Sequence, residues 1–450
     1  MTEIYQWIET INSYVWGPYM IVLILGTGVF LTVGLCFLPF RKLFFAFKLL
    51  FTKTSNTHGD IQPFQALMTA LSATVGTGNI AGVATAIAIG GPGAIFWMWM
   101  AALVGMATKY SEAVLAVKYR EVDELGRYVG GPMYYIKNGL SKKFSWLAFL
   151  FAFFGAIAGF GIGNMVQSNS MADVLESNLL IPPLVSGIII AILAGLVILG
   201  GIKRIATIAS AIVPSMVVLY LVASLVAIIL NIHLLPHAFG LIFGYAFTPI
   251  AATGGFIGSS IVLAVQMGVS RGIFSNEAGL GSAAIAHAAA KTDDPVRQGL
   301  IAMLGTFIDS IMVCTMTALV IILSGLWKTG ENGAVLTSES MHNLLPYVGH
   351  FIVTISLLFF AFTTIIGWSY YSERCVEFLL GVKAIIPFRI VWVVAICFGA
   401  FLKLEFIWLL ADTLNGLMAV PNLIGILLLS PVIFRLSKQY NKDNCLLSIS

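Results

Sequence analysis

Eleven long apolar stretches, separated only by short runs of Gly, Pro or charged residues, dominate this chain. They lie near residues 14–38, 64–89, 93–117, 145–172, 182–200, 206–230, 249–285, 298–326, 345–372, 387–403 and 406–434. A helix needs roughly 20 apolar residues to cross the hydrocarbon core of a bilayer, so the stretches have the length of membrane spans. Composition excludes the alternative: 59% of the 450 residues are hydrophobic and 10% are charged. A soluble core of ordinary size could not hide that much apolar surface. The expected fold class is an all-α polytopic membrane protein of about eleven transmembrane helices.

Lys and Arg test the count independently, because cytoplasmic loops carry the positive charge. With the N-terminus outside, the inside loops hold nearly all of the 24 Lys and Arg, and the outside segments hold only Lys328 and Lys403. The expected topology is N-out and C-in, in the plasma (inner) membrane. Met1 to Ser13 carries Glu3 and Glu9 and no basic residue, so it lacks the n-region of a cleaved signal peptide. The five cysteines are scattered without a C-x-x-C pair and read as packing residues. The longest inside loop, 118–144, contains Gly130-Gly131-Pro132-Met133-Tyr134-Tyr135-Ile136, which reads either as an amphipathic interfacial stretch or as an ordinary loop.

Two spans are interrupted. The second carries Ser72-Ala73-Thr74-Val75-Gly76-Thr77-Gly78-Asn79 at its middle, and the seventh is expected to break over Gly268 to Gly281. Backbone freed at that depth must be buried in protein or line a cavity. Paired interruptions at corresponding places in two halves point to the site of a secondary transporter. Spans two to six and seven to eleven then form two sets of five, and because five is odd the second set is inverted. The expected divisions are an extra N-terminal span and loop (1–63), a first repeat (64–230), a second repeat (249–434) and a cytoplasmic tail (435–450). An unwound turn offers N–H groups that favour a carboxylate and carbonyls that suit cations, so a small zwitterion satisfies both polarities. Gly76 and Gly78 also fit plain close helix packing.

The runs Thr74-Val75-Gly76-Thr77-Gly78-Asn79-Ile80-Ala81-Gly82-Val83-Ala84-Thr85-Ala86-Ile87, Gly130 to Ile136, and Arg271-Gly272-Ile273-Phe274-Ser275-Asn276-Glu277-Ala278-Gly279-Leu280-Gly281-Ser282 resemble the signatures of the alanine or glycine:cation symporter family, and the resemblance covers nearly the whole chain. It implies a LeuT-like fold, a 5+5 inverted repeat preceded by one extra helix, and sodium- or proton-coupled uptake of a small neutral amino acid. It also implies roles. Backbone amides near Gly76, Thr77 and Gly78 would hold the substrate carboxylate. Phe274, Ser275, Asn276 and Glu277 would form the second unwound turn, taking the ammonium and shaping the pocket. The carbonyls of Ser72 and Val75 with the hydroxyls of Thr363 and Thr364 would bind sodium, an all-oxygen set suited to a hard cation. Asn79, the Thr74 carbonyl and Ser275 match a second cation site present in some relatives.

Single residues carry competing readings. Glu277 is either a functional intramembrane charge or a buried ion pair with Arg271 or Lys109. Asp309 is a cation ligand or charge balance, or a structural hydrogen-bond partner. Trp368 walls the substrate pocket or packs the core. Asn164 and Gln167 share a helix face and line the cavity or join helices. Lys109 and Glu112 read as a helix-face pair near the cytoplasmic end.

Other function classes fare poorly. Thr74-Val75-Gly76-Thr77-Gly78 imitates a potassium-filter loop, and a cation channel is the alternative, but a filter needs four copies around one axis and this chain has one. No H-E-x-x-H, Walker or G-x-S-x-G setting with a histidine at depth supports an enzyme. No prosthetic group, nucleic acid or obligate protein partner is implied; the expected partners are the amino acid, sodium or a proton, and lipid.

Overall fold

The computed structural model describes residues 2–52, 57–250, 256, 258–402 and 405–447, and these are helical almost throughout. Among them, eight helices are each long and apolar enough to cross a bilayer, or nine with one bent pair counted as a span. Helix Pro183–Ile198 and the pair Ile261–Asn276 and Ser282–Ala288 complete the expected eleven. The first span differs at its start: helix Thr2–Val15 leads into Pro18–Gly34, with the interruption at Trp16 and Gly17.

Local chemistry sets the ends. Pro18, Pro63, Pro183 and Pro295 sit in the first turn of their helices, where a missing N–H costs nothing. Gln62 and Gln65 form a reciprocal capping box at Pro63–Thr74, and the Asp294 carboxylate accepts from the Val296 and Arg297 N–H groups. Gly325 and Gly381, with φ of +73° and +79°, close the helices Thr315–Ser324 and Gly349–Leu380.

The membrane assignment is visible in which faces are covered. Ile188, Ile192 and Leu196 of Pro183–Ile198 are exposed, while Gly187, Ala191 and Ala194 of the same helix are buried. A Cβ on Gly187 would lie 2.7 Å from the Ala400 Cβ, so small residues let this helix approach Ile385–Phe401 closely. Polar side chains gather at the centre instead: Ser72, Asn79, Glu112, Asn164, Asp309 and Thr363 are fully buried.

The loop 118–144 is neither of the two alternatives read from sequence. A two-stranded hairpin pairs Glu121–Val122 with Tyr128–Val129, and helix Pro132–Gly139 follows. Pro132 to Ile136 are buried against the bundle, so their apolar side chains serve a protein interior and not a lipid surface. Three spans also contain a π-helical segment, over Gly78–Gly82, Gly159–Met165 and Phe307–Cys314. Such segments are rare and concentrate at functional sites.

Candidate functional site

The first broken span is helical over Pro63–Thr74, opens at Val75, Gly76 and Thr77, and resumes through the π-turn into Val83–Gly90, bent by 54°. A side chain props the open turn from within. The Gly76 N–H donates to Asn79 Oδ1 at 2.9 Å, and Asn79 Nδ2 donates to the Asp309 carboxylate at 2.7 Å.

The second break is narrower than expected. Helix Ile261–Asn276 runs unbroken through Gly268 and Arg271, and only Glu277 to Gly281 depart from it. Arg271 therefore lies within a regular helix, its guanidinium 5.8 Å from the Phe274 ring centre. Phe274, Ser275 and Asn276 form the last helical turn instead of an unwound one. The sequence runs Glu277-Ala278-Gly279-Leu280-Gly281, and Gly279 and Gly281 take φ of +93° and +81°, where glycine is favoured. Glu277 does so at +57° without being glycine, a costly backbone state of the kind that collects at functional sites.

Between the two breaks lies a small cavity of about 20 Å³, room for about one water molecule. The first broken span contributes Thr74, Gly76, Thr77 and Gly78; the second contributes Phe274 and Glu277. Ile162 and Gln167 close one side, and Thr364 and Trp368 of helix Gly349–Leu380 close another. Gln167 Nε2 donates to Thr77 Oγ1 at 3.1 Å and to the Ile162 carbonyl at 2.8 Å, leaving Gln167 Oε1 buried without a partner. Trp368 Nε1 donates to Glu277 Oε1 at 2.7 Å, and Ser282 Oγ donates to Glu277 Oε2 at 2.5 Å. Glu277 is thus held by hydrogen bonds across its own break; no ion pair to Arg271 or Lys109 forms among the described residues.

The remaining candidates separate into three places. Asn79 and Ser275 stand behind the cavity, converging on Asp309: its carboxylate accepts from Asn79, from Ser275 Oγ at 2.9 Å and from Ser310 Oγ at 2.9 Å. Asn276 joins the same group through Ser310 at 2.9 Å. Ser72 and Thr363 lie where Pro63–Thr74 meets Gly349–Leu380. A Cβ on Gly367 would sit 2.6 Å from Ser72 Oγ, so the two segments touch. The Thr363 and Thr364 hydroxyls each donate to the Phe360 carbonyl at 3.0 Å. Asn164 is away from the cavity: it faces the other way on its π-segment and donates to the Trp392 carbonyl at 2.8 Å.

Sequence reasoning missed two supports. Glu112, read from the sequence as one of a helix-face pair with Lys109, is fully buried and reaches further. Its Oε1 accepts from the N–H groups of Gly279 at 3.0 Å and Gly281 at 3.1 Å and from Asn422 Nδ2 at 2.9 Å, so it holds the second break from outside. The glycines of Gly159-Phe160-Gly161-Ile162-Gly163 let this segment pack closely: a Cβ on Gly163 would meet the Trp368 Cβ at 2.2 Å, one on Gly161 the Ala411 Cβ at 2.1 Å, and one on Gly159 the Ser372 Oγ at 1.9 Å. Their alternation was the available signal. Among the described residues no group of three or more His, Cys, Asp or Glu is placed to hold a metal ion through those side chains.

Known proteins match this architecture. A family model described as the sodium:alanine symporter family matches residues 1–445. The sodium/alanine symporter AgcS of Methanococcus maripaludis is 54% identical over 443 residues, 97% of each chain. The probable sodium/glutamine symporter GlnT of Bacillus subtilis is 40% identical over 435 residues, 96% of this chain and 90% of that one. Among solved structures, MhsT in complex with L-phenylalanine superposes with a TM-score of 0.57 at 14% identity, over 83% of this chain and 89% of that one. A manganese transporter of Eremococcus coleocola gives 0.51 at 15% identity, over 84% of this chain and 80% of that one. These likenesses establish a LeuT-like fold, and nothing in them supports a channel. The chain belongs to the sodium:alanine symporter family, and it is a multi-pass secondary active symporter and not an enzyme.

Proposed function

We propose that this symporter carries a small neutral amino acid such as alanine or glycine inward together with sodium, with its N-terminus outside and its C-terminus cytoplasmic. The observation that supports this most is the convergence at the cavity, because both breaks, Thr364 and Trp368 line one small space at the centre of the bundle. Amides at Thr77 and Gly78 take the carboxylate at the positive end of a half-helix. The unpartnered Gln167 Oε1 and the end of the Ile261–Asn276 helix take the ammonium. Trp368, anchored on Glu277, limits the side chain. Sodium bound by the Ser72 and Val75 carbonyls and by Thr363 and Thr364 ties the second span to the ninth; Asp309, Asn79 and Ser275 with the Thr74 carbonyl form a second cation site. The two sets of five helices, 64–230 and 249–434, move relative to one another. Coupling follows if sodium binds the outward-facing state more tightly than the inward-facing one.

The test is uptake of labelled L-alanine by purified protein in liposomes with an inward sodium gradient, an inward proton gradient, or neither. Sodium-driven accumulation, lost in Thr364→Ala, is the expected result. Accumulation driven by protons alone would transfer coupling to Glu277 or Asp309, and absence of uptake of any small amino acid by folded protein would refute the substrate assignment.

A further inference from the structure

Arg120 follows the helix Gly93–Lys118, and its side chain is 9% exposed. Its guanidinium donates to four backbone carbonyls: Nη1 to Ala288 at 3.0 Å and Ala290 at 2.8 Å, Nη2 to His58 at 3.1 Å and Thr292 at 2.7 Å. The Tyr128 ring covers it, 4.5 Å from the guanidinium carbon. His58 stands just ahead of the first broken span, and Ala288 to Thr292 end the second. One side chain therefore grips the same-side ends of both broken spans.

Those ends also pair directly. The Asp60 N–H donates to the Ala289 carbonyl at 2.8 Å, Lys291 N–H to Ile61 at 2.7 Å and Thr292 N–H to His58 at 3.0 Å, with Ile61 and Ala290 as partners in a parallel bridge. Gly59 permits the approach, because at φ of +145° a Cβ would lie 2.4 Å from the Ala290 carbonyl oxygen.

The hairpin 121–129 covers this junction and extends to a third element. The Tyr128 N–H donates to the Asp60 carboxylate at 2.8 Å. Asp123 folds the hairpin tip by accepting from the Leu125 and Arg127 N–H groups, and it lies 3.6 Å from the Arg374 guanidinium. Burial alone would raise the Asp123 carboxyl, but the Arg127 N–H and guanidinium hold it below the usual carboxylate range. Arg374 pairs with Glu373 and Glu377, and Arg389 with Glu373. Glu373, Arg374 and Glu377 lie in the last two turns of the helix Gly349–Leu380, whose middle carries Thr364 and Trp368, and Arg389 belongs to the next helix, Ile385–Phe401.

We propose that Arg120 is the staple of a gate on this face: it holds the ends of both broken spans together, and the hairpin 121–129 links that staple to the helix bearing Thr364. The inference rests on the reading above, in which the central cavity opens alternately to two sides. A planar fork with several donors can grip four carbonyls at once, which a Lys ammonium cannot. Release toward this face requires the Ile61–Ala290 junction to part, so a change at Thr364 is transmitted through Arg374 and Asp123 to Arg120.

Two experiments test it, in protein whose native cysteines are replaced. Partners in a strand pair lie about 4.8 Å apart, within disulfide reach, so Ile61→Cys with Ala290→Cys is oxidised in liposomes. Uptake is expected to fall at least tenfold and to return on reduction, while binding of labelled alanine persists; uptake unchanged by the cross-link would overturn the gate. Separately, Ile61→Cys alone, 2% exposed in the native chain, is labelled with a water-soluble maleimide. Labelling is expected to quicken at least fivefold in Arg120→Gln and less in Arg120→Lys, and equal rates in all three would overturn the staple. Labelling needs no substrate. The expected labelling order without alanine uptake in any variant would therefore uphold the gate and refute only the substrate.

Discussion

The glycines of the first break offer a graded test, because a methyl group at each meets a different neighbour. At Gly76 the added Cβ would stand 2.5 Å from Thr364 Oγ1 and 3.6 Å from Gln167 Oε1. Ordinary contact begins near 3.4 Å, so the Thr364 hydroxyl must retreat by about 0.9 Å or rotate away from the cavity. Overpacking of this kind costs about 1–3 kcal/mol. If that cost falls on the site, the sodium concentration for half-maximal uptake rises about 5- to 140-fold. At Gly78 the nearest atoms are Phe274 Cδ1 and Ser275 Cα, both at 3.3 Å, so a shift of a few tenths of an ångström suffices and the loss is a few-fold. Gly82 has nothing within 4 Å and sits at φ −65°, ψ −41°. Alanine there stabilises the helix by about 0.5–1 kcal/mol and leaves transport unchanged. The assay is sodium-dependent alanine uptake by Gly76→Ala, Gly78→Ala and Gly82→Ala, with melting temperature as the control for folding. A sodium half-saturation for Gly76→Ala within twofold of the unaltered protein, or Gly82→Ala as harmful as Gly76→Ala, would refute the placement of Thr364 against this turn.

Three further substitutions separate roles that one cavity combines. Trp368→Phe keeps an aromatic wall but strands Glu277 Oε1, and a buried acceptor left unsatisfied costs about 1–3 kcal/mol, read as a lower melting temperature; Trp368→Leu additionally admits larger side chains, read by competition of valine with labelled alanine. Glu112→Ala leaves the Gly279 and Gly281 amides and Asn422 without their shared acceptor, at about 1–3 kcal/mol for each group left unsatisfied, so the protein should melt markedly earlier, whereas Glu112→Gln retains an acceptor oxygen and most of the stability. Asp309→Asn keeps the shape of the Asn79–Ser275–Ser310 cluster while removing its charge, and the expected result is folded protein with a reduced sodium Hill coefficient; an unchanged coefficient would return Asp309 to a structural role.

The membrane class, the number of spans and the positions of both interruptions were legible because each has a one-dimensional signal: apolar length, charge asymmetry, and Gly or Asn at mid-span. The extent of the second break was not. Gly268, Gly272 and Arg271 look like helix breakers, yet Gly268 and Gly272 are there for contact; a Cβ on Gly268 would meet the Ala94 carbonyl oxygen at 2.1 Å. Small residues for close approach and small residues for unwinding read alike in a sequence. Asn164 and Gln167 illustrate a second limit. Three positions apart on a regular helix they share a face, but the π-segment Gly159–Met165 is more loosely wound, turns less per residue and so shifts the faces, sending Asn164 to Trp392 and Gln167 to Thr77. The hydrogen-bond partners of Glu112 and Arg120 lie more than 60 residues away in the chain, and Asp309 reaches Asn79 across 230 residues, so these pairings have no local signature.

The two breaks, similar in sequence pattern, differ in electrostatics, and that difference orients the substrate in the proposed reading. At the second break the N–H groups of Gly279 and Gly281, at the start of the Ser282–Ala288 half-helix, already donate to a built-in carboxylate, Glu112. Its positive end is therefore satisfied from within the protein, and the Glu277 carboxyl adds further acceptor oxygens beside the cavity. At the first break the Gly76 N–H goes to the neutral amide oxygen of Asn79, and among the described residues no carboxylate accepts from Thr77 or Gly78. Of two half-helix ends that could receive an anion, one is filled by Glu112 and one faces the cavity unneutralised. A zwitterion entering the space between them is driven to put its carboxylate against Thr77 and Gly78 and its ammonium toward Gln167, Glu277 and the end of Ile261–Asn276. Reversal would set the substrate carboxylate against the Glu277 carboxyl oxygens and leave the Thr77 and Gly78 amides facing a cation, an arrangement least tolerated in a low-dielectric interior.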